Sequence, residues 1–443
     1  MPDPLLRTMM TLELSANSQQ LEVLTSGLGC GIPRVVELCS QALFAQGSLQ
    51  AQVALISAAA HPSPVIAEKI RANAETLSGA FRQLLIHGLP AQKLTALTAI
   101  EITETFEPGP ALVELVRSSP VGEVAERSAS TLRQMAWHLH ELTEHGSEKR
   151  LHPTLSALAA NYRPRIVAAL SNGLELEVDH LQVDQIAVRE LLIECLLIIA
   201  RDDAPEVRRV LWSSNASIRE IVRHLMLHGT HPGIVRAVIG SLGHSYPHPR
   251  ALDAVQERDD PEFVVELLKT VSRPTSPKMM QNLRQIGYVT WLTREPLDLS
   301  WIPGEYQAGV IHLVNHTRLS RECRRNVEDW LLRHGTTEGR EAAAGSAAHH
   351  DEAMVKEVVR SSLDSSDSVV AAWACSQLKI HQFPDAARLL MEKLRSANAE
   401  VREVARHELR EWFNAERMLE LHESMTAEVG VQAGRMLLEV DDL

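Results

Sequence analysis

A twelve-residue phrase near the C-terminus occurs twice and limits the possible folds more than any other feature. The two copies read LDSSDSVVAAWA at 363–374 and LRSANAEVREVA at 394–405. Each copy has an apolar anchor, a polar turn, and a helix start that opens with Val and reaches Ala. Taking Val369 and Val401 as equivalent positions gives a period of 32 residues. A helical phrase that repeats at a fixed period indicates a stacked array of helix pairs.

Length and composition favour helices over sheets. A chain of 443 residues is too long for one ordinary core, which leaves two or three domains or one solenoid. Aromatic residues make up only 4% of the chain, whereas Leu, Ala, Val, Glu and Arg are abundant. Strands rely on aromatic and β-branched side chains, so this balance predicts an all-α protein.

The charge balance limits the classes of partner. The formal net charge is −13 and the sequence isoelectric point is about 5.9. A general nucleic-acid binder needs a basic footprint, and attraction to an anionic membrane surface also needs basic residues. We therefore expect neither nucleic acid nor a membrane surface to be the partner.

Cysteine usage and hydropathy predict a cytoplasmic protein without membrane insertion. Five cysteines are scattered along the chain without a Cys-x-x-Cys pair, at Cys30, Cys39, Cys195, Cys323 and Cys375. This pattern indicates buried thiols in a reducing compartment. The N-terminal residues lack the long apolar run of a secretory signal. The most apolar stretch, 186–200, contains Arg189, Glu190 and Glu194 and is too short to span a bilayer, so it predicts a buried helix.

Weaker relatives of the C-terminal phrase occur upstream. They read HPSPVIAE at 61–68, SSPVGEVA at 118–125, DDAPEVRR at 202–209 and DDPEFVV at 259–265. Each places a polar residue or a proline where a helix must begin. Ser and Asp accept hydrogen bonds from first-turn amides, and proline presets φ for the helix. The upstream spacing is irregular, so the number of repeats stays open.

These phrases resemble the second helix of HEAT repeats. The residues that carry the resemblance are Asp202, Ala204, Pro205, Val207 and Arg208 in one copy and Asn398, Val401, Arg402 and Ala405 in another. The period near thirty is similar to that of the short HEAT-like units of the phycobilin-lyase type. The resemblance extends over about two thirds of the chain and implies a superhelix of antiparallel helix pairs. Few copies keep both the acidic or amide residue and the Val-Arg pair, so the implied repeats are degenerate.

Two segments interrupt the helical pattern. Residues 173–183 alternate apolar and polar side chains after a turn signal, which fits either a short strand or a loop between helices. Residues 273–306 contain four prolines together with Trp291, Trp301 and Tyr306, and they predict an irregular connection. Their aromatic side chains could form a binding patch or could fix the connection to its own core.

Histidines provide candidate metal ligands without a complete set. His224 and His228 lie four residues apart, as do His312 and His316, so each pair would share one helix face. His231 could be a third ligand for the first pair, but neither segment has an obvious acidic partner. Residues 137–145 resemble the His-Glu-x-x-His pattern of zinc peptidases, yet the second histidine is one residue too far along to share a face with the first.

His-Glu dipeptides occur at 140–141, 407–408 and 422–423. HEAT-like deoxyhypusine hydroxylases bind two irons through such dipeptides in both halves, so the resemblance keeps a metal hydroxylase open as an alternative. In this chain the dipeptides are not symmetrically placed and a fourth is missing. The Gly-rich segment 27–31 lacks the third glycine of a dinucleotide fingerprint, and no Walker loop or serine elbow is present. We therefore predict no catalytic residue, no metal and no cofactor.

Arginines cluster in two parts of the chain. The first set is Arg208, Arg209, Arg219, Arg223 and Arg236, and the second is Arg318, Arg321, Arg324 and Arg325. If their helices line the concave face of an array, these side chains would form a basic groove for an acidic peptide or a phosphate backbone. The alternative is that they pair with neighbouring Asp and Glu on solvated faces.

We predict an α-solenoid of antiparallel helix pairs. Its N-terminal array would occupy 1–270, an irregular connection 271–306 and a C-terminal array 307–443, with a helix at 427–440 as the cap. The extended surface and the lack of a catalytic constellation favour a non-catalytic scaffold or adaptor that binds a protein along the concave face. The residues expected to bind the partner are Arg208, Arg209, Arg219, Arg223, Trp291 and Trp301. The alternative function is a HEAT-like enzyme or nucleic-acid handler, of metal hydroxylase or DNA-repair type, that uses the His-Glu pairs or an arginine-lined groove.

Overall fold

The computed structural model describes most of the chain and divides it into two compact units. The described residues are 4–14, 19–59, 64–119, 121–144, 152–174, 183–272, 276–412 and 431. Unit 1 is Met1–Ser241 and unit 2 is Leu242–Leu443. The described residues form 24 α-helices and no β-strand, which confirms the all-α prediction. The predicted boundaries, with an irregular connection at 271–306 between two helical arrays, stay a prediction.

Unit 1 contains fourteen of these helices and one π-helical turn at Gln83–His87. The helices are α1 (Pro4–Leu14), α2 (Gln19–Leu28), α3 (Pro33–Gln46), α4 (Leu49–Ala58), α5 (Pro64–Ala72), α6 (Ala74–Arg82), α7 (Pro90–Thr103), α8 (Gly109–Ser118), α9 (Glu123–Glu144), α10 (Pro153–Gly173), α11 (Val183–Ile199), α12 (Pro205–Leu211), α13 (Ala216–His228) and α14 (Pro232–Ser241). In one layer α3, α5, α7, α9 and α11 pack successively, and in the other α2, α4 and α6 do the same. Helices therefore alternate between two layers, as in a helical solenoid.

Unit 2 contains ten α-helices and one 3₁₀ turn at Thr290–Leu292. The helices are α15 (Pro249–Glu257), α16 (Pro261–Val271), α17 (Pro277–Leu283), α18 (Gly304–His316), α19 (Arg321–His334), α20 (Thr337–Ala347), α21 (Glu352–Ser362), α22 (Ser368–Ile380), α23 (Ala386–Lys393) and α24 (Ala399–Trp412). One layer is formed by α16, α18, α20, α22 and α24, each packed on the next, and α19 packs on α21 in the other. Each unit is thus helical-repeat-like.

Side-chain caps begin several helices. They confirm the helix start predicted at 259–265, whereas the start predicted at 202–209 has no side-chain cap. The Asp260 carboxylate accepts the Phe263 N–H at the start of α16, and the Asn215 amide oxygen accepts the Ile218 N–H at the start of α13. Ser276, Ser320 and Asp351 cap later helices in the same way. These bonds satisfy first-turn amides that have no partner within the helix.

The C-terminal repeat has a register of 31 residues. The Ser365 hydroxyl accepts the Asp367 N–H at 3.2 Å, and the Ser396 hydroxyl accepts the Asn398 N–H at the same distance. The next bond repeats as well, because Asp367 accepts the Val369 N–H at 2.9 Å and Asn398 accepts the Glu400 N–H at 2.9 Å. Pairing Val369 with Val401 was therefore wrong by one residue. Val401 is buried, with 2% exposed, whereas Val369 is 45% exposed.

The two predicted interruptions have different outcomes. The possible strand at 173–183 falls mainly on residues 175–182, which lie outside the described residues. In the other segment the structure describes α17, the 3₁₀ turn and otherwise non-helical chain between 284 and 303. The proposed cap helix at 427–440 also lies outside the described residues, apart from residue 431.

The most apolar stretch of the sequence forms α11, a buried helix of unit 1, as predicted. Leu192, Ile193 and Leu196 are almost completely buried, and α11 contacts α9, α10 and α14. Gly233 lets α14 approach α11, because a Cβ there would lie 2.5 Å from the backbone oxygen of Ile198. Any larger residue at this position would push the two helices apart.

Four of the five cysteines are buried, and all five are free thiols. Burial raises the pKa of the Cys39 and Cys323 thiols, and it raises the pKa of Cys375 to about 11. These thiols are therefore protonated and poorly reactive at neutral pH. Cys30 is the exception to the expectation of buried thiols, because it is exposed.

The stability of unit 2 is expected to fall in mildly acidic solution. His381 is 5% exposed and its Nε2 has no hydrogen-bond partner in the described chain. Burial lowers the pKa of His381 from its usual value near 6.5, and burial also lowers the pKa of His316. The unfolded chain therefore binds protons more readily than the folded one, and stability is lost as the pH falls below about 6.5.

The measurement is urea unfolding of the wild type and His381→Gln between about pH 7.5 and about pH 5. The wild type should lose more unfolding free energy across this range than the variant. Equal losses in the two proteins would contradict a role for His381.

Candidate functional site

The four arginines predicted to bind a partner lie on two consecutive helices of unit 1. Arg208 and Arg209 are on α12, Arg219 and Arg223 are on α13, and all four are exposed. The two helices pack against each other through their apolar faces, with Val207 and Val210 buried on α12. Burial of the apolar face leaves the basic side chains on the solvent side.

Three of these arginines are not neutralised by a neighbouring acid. In the described part of the chain, Arg208, Arg209 and Arg219 form no ion pair. Arg223 differs, because its Nη1 lies 3.3 Å from Oε1 of Glu220 one helical turn away. Exposed pairs of this kind contribute about 0.2–1 kcal/mol, so Arg223 can exchange this partner for another anion at little cost.

The position of Arg219 is unfavourable for the stability of α13. The helix begins after Asn215, so Arg219 lies in its first turn, and this turn has no acidic residue. A cation at the positive end of a helix dipole is disfavoured by about 0.3–1 kcal/mol. The dipole and Arg219 together create a positive potential there, which an external anion can stabilise.

Trp212 is a further exposed residue of this region that the sequence reasoning missed. It follows α12 directly and is 56% exposed. Its backbone N–H donates to the carbonyl of Arg208 at 2.9 Å, so the two residues are one helical turn apart and share a side of the helix. The sequence signal that could have identified Trp212 is its position four residues after Arg208.

Trp291 and Trp301 lie in unit 2 and support its own core. Trp291 is 2% exposed, and its ring meets that of Trp301 edge-on with 6.0 Å between centroids. The Trp301 Nε1–H donates to the carbonyl of Asp298 at 3.1 Å. This is the second of the two readings of the aromatic segment, in which the side chains fix an irregular connection. The buried side chain of Trp291 offers no surface to a partner, whereas Trp301 is half-buried and its role in partner binding stays a prediction.

Other arginines of the two clusters serve local structure. Arg236 donates from Nη2 to the carbonyls of Ile198 at 3.2 Å and Ala200 at 2.9 Å, and thereby caps the C-terminal end of α11. Burial lowers the pKa of Arg236, although the nearby Glu144 carboxylate opposes this shift. In unit 2, Arg324 donates to the carbonyl of Val314 and Arg325 pairs with Asp351, whereas Arg318 and Arg321 are exposed.

The histidine pairs do not assemble a metal site in the residues that the structure describes. The rings of His224 and His228 lie 5.1 Å apart between centroids, and His224 Nε2 is 3.9 Å from Glu190 Oε1. No group of three or more potential ligands is close enough to hold a metal ion in these ranges. His140 is buried and its Nδ1 contacts the carbonyl of Ile198 at 3.2 Å. His145 and the dipeptide 422–423 lie outside the described residues.

Two pockets lie in the described parts of the two units. The pocket in unit 2 has a volume of about 360 Å³ and includes Leu292, Cys323 and Trp330 in its wall. Its one arginine, Arg294, pairs with Asp259. The pocket in unit 1 has a volume of about 180 Å³ and lies between the end of α7 and α9.

Comparisons with known proteins give no family. No family model matches this chain, and no curated protein matches it. Among solved structures, one similar chain comes from the crystal structure of an engineered protein from the Northeast Structural Genomics Consortium, and it is 17% identical in sequence. The match covers 88% of this chain and 98% of that one, with a TM-score of 0.28. A score this low gives no information on fold or function.

Within the described ranges, no helix combines the length and the apolar character needed to cross a bilayer.

Proposed function

We propose that this protein is a non-catalytic scaffold or adaptor of the HEAT-like type, and that it binds an acidic segment of a partner protein. The binding site would be the arginine surface, which comprises Arg208, Arg209, Trp212, Arg219 and Arg223. The observation that carries the proposal is that Arg208, Arg209 and Arg219 are exposed and form no ion pair with the described residues, in a chain of net charge −13. Arginines that serve solubility or stability in an acidic protein would be expected to pair with the abundant carboxylates.

A short acidic protein segment fits this surface better than a long polyanion does. Arg and Trp are the residue types most enriched where binding energy concentrates in protein interfaces, and Trp212 offers apolar area beside Arg208. A long nucleic acid would extend beyond the arginine surface and meet the negative potential of the remaining chain. Nucleic acid is therefore the second outcome to test.

The test is affinity capture from native lysate with the wild type and the variant Arg208→Glu/Arg209→Glu/Arg219→Glu. Mass spectrometry identifies the retained proteins. We expect the variant to lose a protein that the wild type retains, and we expect the measured affinity for that protein to fall by at least about tenfold. The affinity should also weaken with added salt, because the contacts are exposed charges.

A matched control reverses three exposed arginines of unit 1 that do have partners. Arg34, Arg82 and Arg165 pair with Glu37, Glu114 and Glu107 respectively. Their triple reversal changes the net charge equally and should leave the partner bound. Equal losses in both triple variants would show that total charge decides binding, and retention by the first variant would refute the proposal. Loss of binding after nuclease treatment would identify nucleic acid as the ligand.

A further inference from the structure

The cavity of unit 1 is separate from the arginine surface and has its own polar wall. It has a volume of about 180 Å³, roughly that of six water molecules. Its wall includes Glu101, Glu104, Phe106, Thr131, Met135 and His138. Phe106 and Met135 are buried and provide an apolar side, whereas the carboxylates provide a polar side. A mixed wall of this kind is typical of sites for small molecules.

His138 has an unsatisfied polar atom in this wall. Its ring stacks on Phe106, with 5.6 Å between centroids and 24° between planes. Its Nδ1 faces Glu141, with 3.9 Å to Oε2. Its Nε2 is buried and has no hydrogen-bond partner among the described residues. Buried polar atoms are nearly always paired, by protein or by ordered water, so Nε2 retains hydrogen-bonding capacity that the described residues do not use.

The two glutamates are oriented by Thr131, which is part of the wall, and by two arginines outside it. Oε1 of Glu101 accepts the Thr131 hydroxyl at 2.7 Å, and Oε2 accepts the Arg127 guanidinium. The Glu104 carboxylate accepts Nη2 of Arg71 at 3.3 Å. Neither arginine is part of the wall. The wall contains two carboxylates and no Arg or Lys side chain, beside the hydroxyls of Thr105 and Thr131 and the amide of Gln134. This balance favours ligands that donate hydrogen bonds and disfavours anions.

The backbone at Glu104 is held in a conformation that usually requires glycine. Its φ is 52° and its ψ is 37°, in the left-handed region, where it ends α7. A helix end of this type normally has Gly or Asn. A glutamate here keeps a carboxylate in the cavity wall at the expense of backbone strain, and such strain is concentrated at functional sites.

We propose that this cavity binds a small molecule that carries hydroxyl or amino groups on a short carbon skeleton. One hydrogen-bond donor of the ligand reaches Nε2 of His138, and others reach the carboxylates of Glu101 or Glu104. The carbon skeleton packs against Phe106. Hydroxyl and amino ligands share the donor chemistry that the wall requires, and the experiment separates them.

The test uses the full chain and three sets of probes at millimolar concentration. The sets are small polyols (glycerol and erythritol), small amines (ethanolamine and putrescine) and small carboxylates (acetate and malonate). Ligand-detected NMR measures binding, and a proton–nitrogen spectrum of the histidine rings reports on His138, whose signals are assigned by their loss in His138→Phe. We expect a polyol or an amine to shift the His138 Nε2 signal and the carboxylates to leave it unchanged.

Three variants make the result specific. His138→Phe keeps the stacked ring and should weaken the bound probe about tenfold, because one hydrogen bond to a buried atom is lost. His87→Phe, at an exposed histidine of the same unit, should bind as the wild type does. Glu104→Gln should weaken the binding of amines more than the binding of polyols, which distinguishes the two ligand classes.

Several results would overturn the proposal. The first is binding of the carboxylates as tight as that of the polyols or amines. The second is an unchanged affinity of the His138→Phe variant for the bound probe. The third is that neither the polyols nor the amines bind. The proposed scaffold function is tested at other residues, so it can stand or fall independently of this cavity.

Discussion

Replacing Asp260 with alanine is expected to lower the unfolding free energy of unit 2 by about 3–5 kcal/mol, because it removes the carboxylate that pairs with a buried guanidinium. The Arg258 side chain is only 1% exposed. It donates from Nε and Nη2 to the two carboxylate oxygens of Asp260, at 2.8 and 2.7 Å. Burial opposes ionisation of Asp260, but the Arg258 guanidinium prevails and lowers the pKa of this carboxyl.

The same substitution removes two further contacts. Asp260 also caps α16 by accepting the Phe263 N–H, and loss of a cap costs about 1 kcal/mol. The Arg258 guanidinium lies 4.4 Å from the centroid of the Phe263 ring and would lose the anion that positions it there. Denaturant unfolding followed by circular dichroism measures the total effect, and hydrogen exchange in α15 and α16 locates it.

Asp259 provides the matched control for this experiment. It is the preceding residue and also pairs with an arginine, Arg294, but both of those side chains are exposed. Exposed pairs contribute about 0.2–1 kcal/mol, so Asp259→Ala should be nearly neutral. Similar losses of unfolding free energy in Asp259→Ala and Asp260→Ala would show that burial of Arg258 does not account for the effect of Asp260→Ala.

Replacing Val401 with aspartate is expected to destabilise the C-terminal part of unit 2 by about 3 kcal/mol or more, because an unpaired carboxylate cannot be solvated there. Val401 lies in the first turn of α24, is 2% exposed, and α24 packs on α22. Thermal unfolding and limited proteolysis should both detect the change.

The control for Val401 comes from the corrected repeat register. Val369 is also near the start of a helix, α22, but is 45% exposed. Val369→Asp should therefore unfold close to the wild type, and its charge suits the positive end of the helix dipole. If both variants were equally destabilised, the 31-residue register would be incorrect.

Helix starts and buried apolar stretches could be predicted from the sequence because both depend on local chemistry. Polar residues and prolines marked the starts of α12, α16, α22 and α24, and the run at 186–200 marked α11. The register was missed by one residue because the two valines were matched by type. The Ser365 and Ser396 turns fix the register through backbone hydrogen bonds, and the apolar anchors Leu363 and Leu394, which are also 31 residues apart, agree with it.

The candidate sites were only partly predictable. The exposed arginines of α12 and α13 could be placed because a helix with one apolar face leaves its charged face in water. The burial of Trp291 and the exposure of Trp212 depend on which helices pack around them, and sequence spacing does not contain that information. The cavity beside His138 combines Glu101 and Glu104 with a histidine more than thirty residues away, so no local motif could indicate it.

The repeated serine and aspartate or asparagine turns have a consequence for how such a chain could grow. Residues 368–398 begin after one such turn and end with the next, so the segment starts and finishes in equivalent local geometry. A tandem gene duplication of this segment would insert a module whose two boundaries match their new neighbours. Because each module in such arrays contacts only adjacent modules, the protein could be lengthened in steps of one module without redesign of the rest.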